Sequence, residues 1–279
     1  MKTSQTTFSG SRTEPDQATA GRIAIMVEPP IGWLIIDNEP RRNAVNLAMW
    51  RALPQSVADL AADERVRVIV LRGAGEATFV AGADISEFAE VRKDAASARA
   101  YEDTNSAAFD ALRACPKPTI AMIRGFCMGG GIGLSVACDL RFASADARFA
   151  IPAARLGVGY PASAVRDVVK LIGPARAKDL FFSARRIEAG EAMSLGLIER
   201  LSEPDDLEAV TRAYVRTLAA NAPLSQHAAK AAIDGVTGDP SHADWSAIEA
   251  LTDACFDSAD FAEGRSAFLE RRDPVFTGR

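Results

Sequence analysis

An α/β fold closed by a helical C-terminal region is predicted by three features of the 279-residue sequence. Short apolar runs of strand composition alternate with amphipathic or glycine-led helical segments as far as residue 143. Two of those runs pass directly into glycine-bearing loops. From residue 162 onward the pattern is almost wholly helical.

Residues 22–27 and 33–36 are β-rich runs separated by Glu28-Pro29-Pro30-Ile31-Gly32, which is turn chemistry, so they are expected to pair as a hairpin. Asn46 is placed to cap a helix through Ala61, followed by a buried strand over 66–71 that ends at Arg72-Gly73-Ala74-Gly75. A helical region is expected to begin over 84–90, with a long amphipathic helix from 95 to 114, stopped by Cys115-Pro116-Lys117-Pro118. A strand over 119–123, a helix over 129–138 and a strand over 139–143 continue the alternation. Helices over 162–172, 175–183 and 188–195 then precede four more. Glu203-Pro204-Asp205-Asp206 marks the boundary between a core, 21–204, and a helical region, 205–279. Residues 1–20 are rich in Ser, Thr and Gln without an apolar run, and are expected to be a disordered leader.

Hydrophobic residues make up 48% of the chain and charged residues 25%, the balance of a globular protein. A formal charge of −5 argues against nucleic acid or an anionic membrane as the main partner. The most apolar stretch, 119–140, is interrupted by Arg124 and five glycines and so fails as a membrane span. Cys115, Cys127, Cys138 and Cys255 form no CxxC pair and read as reduced core thiols, which points to the cytoplasm.

Two segments carry potential chemistry: FVAGADI at 79–85 and RGFCMGGGIGLSVACDL at 124–140. In the second, a strand runs through three glycines into a helix, so amides near Gly130 face outward from a helix N-terminus, where partial positive charge favours an anion. A tight strand-to-helix turn alone would use the same glycines. The Lys-Ser/Thr ending of a P-loop and the GxGxxG spacing of a dinucleotide site are both missing.

Together with KPTIAMIRGFCMGGG and the C-terminal EGRSAFLERRDPVF, these motifs closely resemble the enoyl-CoA hydratase/isomerase, or crotonase, family over about residues 22–276. The resemblance implies a spiral of ββα units followed by a helical trimerisation region, with trimers or dimers of trimers. It implies an acyl-CoA thioester as ligand, with no cofactor beyond the coenzyme A of the substrate. It places oxyanion-hole amides on Ala83 and Gly130. The coenzyme is expected beside Arg41, Ala44, Ala81, Asp84 and Ile85, with Phe268 and Arg271 reaching over from a neighbouring subunit. Arg271 stands where the family often has Lys, and a solvated helix end would use it equally well.

The family's hydratases use two glutamates to position water and move protons, a division of labour natural to paired carboxylates. Here their positions fall on Gly133 and Ala153. Hydration is therefore the reaction by resemblance but lacks its usual acid/base pair. Tyr160 lies where the family's acyl pocket is lined and resembles a tyrosine of its methylmalonyl-CoA decarboxylases. A phenol is neutral at pH 7 and donates a hydrogen bond more readily than it abstracts a proton. Two alternatives stay open: a malonyl-type acyl-CoA decarboxylase using Tyr160, and a non-catalytic acyl-CoA-binding protein. Glu87 is a candidate substitute carboxylate, or else a capping-box partner of Asp84. Arg155 and Arg166 read as surface ion-pair residues, and His227 and His242 as structural.

Overall fold

The computed structural model describes residues 21–238, 241 and 243–279; the segment expected to be a leader and His242 lie outside them. The chain opens with the expected hairpin. Strands β1 (Arg22–Glu28) and β2 (Ile31–Asp37) pair antiparallel from Arg22↔Asp37 to Glu28↔Ile31, leaving Pro29 and Pro30 as the turn. Helix α1 (Leu47–Ala62) follows, and Asn46 caps it through an Oδ1 that accepts the Met49 N–H at 2.8 Å. Asn46→Ala is expected to cost about 1 kcal/mol, read as a fall of a few degrees in the melting temperature.

Thereafter the elements are β3 (Val68–Gly73), β4 (Thr78–Val80), α2 (Phe88–Val91), α3 (Ala95–Arg113), β5 (Thr119–Ile123), β6 (Phe126–Met128), α4 (Gly130–Ala137), β7 (Leu140–Ser144), β8 (Arg148–Ala150), α5 (Ala153–Leu156), α6 (Ala162–Ile172), α7 (Pro174–Ser183), β9 (Ile187–Glu188), α8 (Ala189–Leu195) and β10 (Arg200–Ser202). Among the described residues four helices follow: α9 (Leu207–Ala219), α10 (Pro223–Thr237), α11 (Trp245–Phe256) and α12 (Ala259–Glu270).

The strands form two sheets. One has the order β1-β2-β3-β5-β7-β10 and is parallel after its first hairpin; the other has the order β4-β6-β8-β9. Each pair β3/β4, β5/β6 and β7/β8 sends its first strand to the large sheet and its second to the small one. A helical segment follows each pair, so the chain advances as a spiral of ββα units. The small sheet was not expected from the sequence; the helical region expected to begin over 84–90 opens with a 3₁₀ turn, Ile85–Glu87, leading into the short α2.

The central strands of the large sheet are buried on both faces, which explains their unbroken apolar runs. Leu34, Ile69 and Leu71 face the main core with α1 and α3. Trp33, Val68, Val70 and Phe142 face a second cluster closed by Leu207 and Val215 of α9. Cys115, Cys127 and Cys138 are buried and Cys255 is half-buried, all unpaired. Burial pushes the Cys115 and Cys127 thiols up and takes Cys138 to about 12, so these sulfurs stay protonated. Native protein is expected to release about one equivalent of colour from Ellman's reagent, through Cys255, and four after denaturation.

Candidate active site

The loop after β4 and the loop after β6 meet at one cavity. An isolated bridge joins Ala83 to Val45, formed by Val45 N–H to the Gly82 carbonyl at 2.8 Å and Asp84 N–H to the Val45 carbonyl at 2.9 Å. Because those bonds flank Ala83, its own N–H points to the other side. Neither Ala83 N–H nor Gly130 N–H donates a turn, loop or cap bond among the described residues. The two amides lie together, for a Cβ built on Gly130 would sit 3.5 Å from Ala83 N.

Glycine chemistry makes this approach possible at two positions. Gly129 caps α4 with φ +49, a left-handed value that turns the following peptide outward. Gly131 packs so tightly on β4 that a Cβ would lie 2.6 Å from the Val80 carbonyl oxygen. Trp50 of α1 supports the loop from beneath; its indole N–H donates to the Tyr101 hydroxyl at 3.0 Å and its ring meets Phe109 edge-on at 5.6 Å.

The cavity encloses about 630 Å³ of non-atom space, part of it open to solvent. Ala81, Ala83, Ile85, Gly130, Ala153 and Tyr160 line it. Its walls are mostly apolar, with Phe88, Phe109, Leu156 and Val158 prominent. Tyr160 packs edge-on against Phe181 at 5.2 Å and donates its hydroxyl to the Gly129 carbonyl at 2.6 Å. Burial first, then the neighbouring Cys127 and Glu102, push this phenol above its ordinary value, against an opposing Gly133 amide. It stays protonated, as a donor must.

The remaining sequence candidates divide into rim, support and distant surface. Arg41 and Asp84 sit together at the rim, Arg41 Nη1 contacting Asp84 Oδ1 and Oδ2 at 3.1 and 3.0 Å and also Ser86 Oγ. Asp84 does cap the 3₁₀ turn, accepting the Ser86 N–H at 3.0 Å. Ala44 adjoins Arg41, donating its N–H to the Arg41 carbonyl at 3.1 Å. Glu87 is not a capping-box partner: its carboxylate accepts the Leu47 N–H at 2.8 Å, closing the first turn of α1, and it does not line the cavity. Phe268, 83% exposed on α12, and Arg271, the exposed C-cap of that helix, lie outside this cavity. Arg166 pairs with Asp167 at 3.1 Å, while Arg155 is exposed. His227 on α10 is likewise elsewhere.

The positions where the resemblance expects glutamates hold Gly133 and Ala153. A Cβ at Gly133 would come 2.5 Å from Phe109 Cζ, so the Phe109 ring occupies the room such a side chain needs. Ala153 lines the cavity with a methyl group. Three polar residues missed from the sequence do line it: Arg92, Glu102 and Asn105. The one available signal was Asn105, an amide within the apolar stripe Tyr101, Ala108, Phe109 and Leu112 of α3.

Two sheets wound from ββα units thus bring the Ala83 and Gly130 amides together beside a mostly apolar cavity. Residues 31–279 match the model of the enoyl-CoA hydratase/isomerase family. A short-chain-enoyl-CoA hydratase from Clostridium acetobutylicum is 33% identical, over 84% of this chain and 90% of the relative. A crotonyl-CoA hydratase from Syntrophomonas wolfei is 31% identical, over 92% and 98% respectively. Among solved structures, an enoyl-CoA hydratase from Bacillus anthracis superposes with a TM-score of 0.85 at 30% identity, over 92% of this chain and 100% of that one. The chain belongs to the enoyl-CoA hydratase/isomerase, or crotonase, family. Among the described residues no helix is long and apolar enough to cross a membrane.

Proposed function

We propose that this protein is an acyl-CoA enzyme that stabilises a thioester enolate between the Ala83 and Gly130 amides without the two-glutamate hydration machinery. The observation that carries the reading is the pair of adjacent N–H groups left without turn, loop or cap partners at the mouth of an apolar cavity. When charge moves onto a thioester oxygen, two fixed donors in a dry site stabilise it more than they stabilise the neutral ground state. In this reading Arg41, Ala44, Ala81, Asp84 and Ile85 form the coenzyme's rim. Phe268 and Arg271 serve the site of an adjacent copy in a trimer or a dimer of trimers, a role in keeping with their exposure on the helical region.

Loss of CO2 from a malonyl-type thioester is the second reading, favoured by Tyr160. Such a reaction delivers the enolate directly to the amides, requires no base and ends with a proton donor, and the cavity contains a phenol held in its protonated form. A mass-spectrometric turnover screen in deuterated buffer, using enoyl-, 3-hydroxyacyl- and malonyl-type CoA thioesters, separates the outcomes. Deuterium entry at the α-carbon supports enolate formation; CO2 release selects decarboxylation; water addition shows that another group replaces the glutamates. Binding without turnover of any thioester would leave the protein a non-catalytic acyl-CoA binder and overturn the proposal.

A further inference from the structure

One stretch of the cavity wall is polar in a way that the enolate chemistry does not use. Arg92, just beyond α2, lies 4.4 Å from the centroids of both the Phe88 and Tyr101 rings and pairs with Glu102 Oε1 at 2.6 Å. Glu102 and Asn105, three apart on α3, share a helix face. All three residues line the same cavity as the Ala83 and Gly130 amides. Three of their polar atoms are buried without a hydrogen-bond partner: Arg92 Nε, Glu102 Oε2 and Asn105 Oδ1. Asn105 is only 5% exposed.

Buried orphans are rare because each forfeits its hydration, and three beside one another on an otherwise apolar wall indicate a ligand that supplies the missing partners. Their inventory is specific. Arg92 Nε offers one donor, while Glu102 Oε2 and Asn105 Oδ1 offer two acceptors. A plain alkyl chain satisfies none of them. A carboxylate brings only acceptors to a place that already has two, and the Arg92 charge is matched by Glu102. A hydroxyl satisfies two of the three, since its O–H donates to one acceptor oxygen while its lone pair accepts from Nε.

Resting on the acyl-CoA reading, we propose that the Arg92–Glu102–Asn105 wall selects an acyl group bearing a hydroxyl on its chain over a plain alkyl or carboxylate-ended one. A site built to hydrogen-bond a substrate hydroxyl discriminates strongly against the analogue that lacks it, because its own polar groups are then stranded.

The test is calorimetric binding of saturated CoA thioesters to the full-length protein at matched lengths of four, six and eight acyl carbons, each ending in a methyl, a hydroxyl or a carboxylate. At one length or more the ω-hydroxyacyl thioester is expected to bind at least tenfold more tightly than its methyl counterpart, with the carboxylate weakest. Asn105→Leu is expected to collapse that ratio toward one. Glu102→Gln supplies the same comparison should Asn105→Leu fail to give a native circular dichroism spectrum. A methyl or carboxylate thioester binding as well as the hydroxyl form at every length overturns the inference and leaves the acyl-CoA reading standing. Failure of every thioester to bind overturns the acyl-CoA reading itself.

Discussion

Ala83→Pro is expected to lower kcat by two to three orders of magnitude, the loss that follows removal of one oxyanion donor, about 3 kcal/mol of transition-state stabilisation. The substitution is selective because of how the loop is bonded. The bridge to Val45 uses the Gly82 carbonyl and the Asp84 N–H, so proline at 83 deletes an amide that supports no described turn, loop or cap bond. Circular dichroism and the melting temperature should therefore stay close to native while turnover collapses. Ala83→Gly, which keeps the N–H, is the matched control and should retain turnover within a few-fold. Near-normal turnover in the proline variant would remove Ala83 from the catalytic apparatus.

The second large effect concerns Gly133. Placing a glutamate there is expected to destabilise the protein by about 3 kcal/mol, because overpacking a rigid core and burying a carboxylate both carry costs. The obstacle is the Phe109 ring, 2.5 Å from the first added carbon and itself braced edge-on against Trp50 at 5.6 Å. A loss of that size corresponds to a fall of roughly 10 °C in the melting temperature. Gly133→Glu combined with Phe109→Ala should recover part of the deficit, since the two residues are in direct conflict and their effects cannot be additive. Thermal melts of the two single variants and the double variant measure the coupling. An unchanged melting temperature for Gly133→Glu alone would show that Phe109 has another place to go.

The centre of the large sheet was legible in the sequence because its strands there are buried on both faces and read as continuous apolar runs, as in Val68–Gly73 and Thr119–Ile123. The small sheet was not. Thr78–Val80, Phe126–Met128 and Arg148–Ala150 are three residues each, too short for alternation to show, and their pairing depends on the spiral having already formed. The two loops that meet at the cavity were visible through their glycines and the family resemblance. Glu102 was hidden within an amphipathic helix, where a carboxylate ordinarily faces water. Glu87 misled for the opposite reason: it stands beside the active loop in sequence, but its nearest backbone donor is Leu47, forty residues upstream. Local spacing names a cap; only the folded chain decides which helix is capped.

The Tyr160 hydroxyl reaches further than its single 2.6 Å bond suggests. The carbonyl it grips and the Gly130 N–H are opposite ends of one peptide group, in which electron density drawn toward the oxygen is withdrawn from the nitrogen. A second bond, from Gly133 N–H at 3.2 Å, pulls on the same oxygen. Through resonance that amide becomes a more acidic, stronger donor than an unassisted one, in the way linked hydrogen bonds polarise one another. An aromatic ring on the cavity wall thus adjusts the strength of an N–H it never touches, and the side chain at 160 acts as an electronic control on the peptide that opens α4.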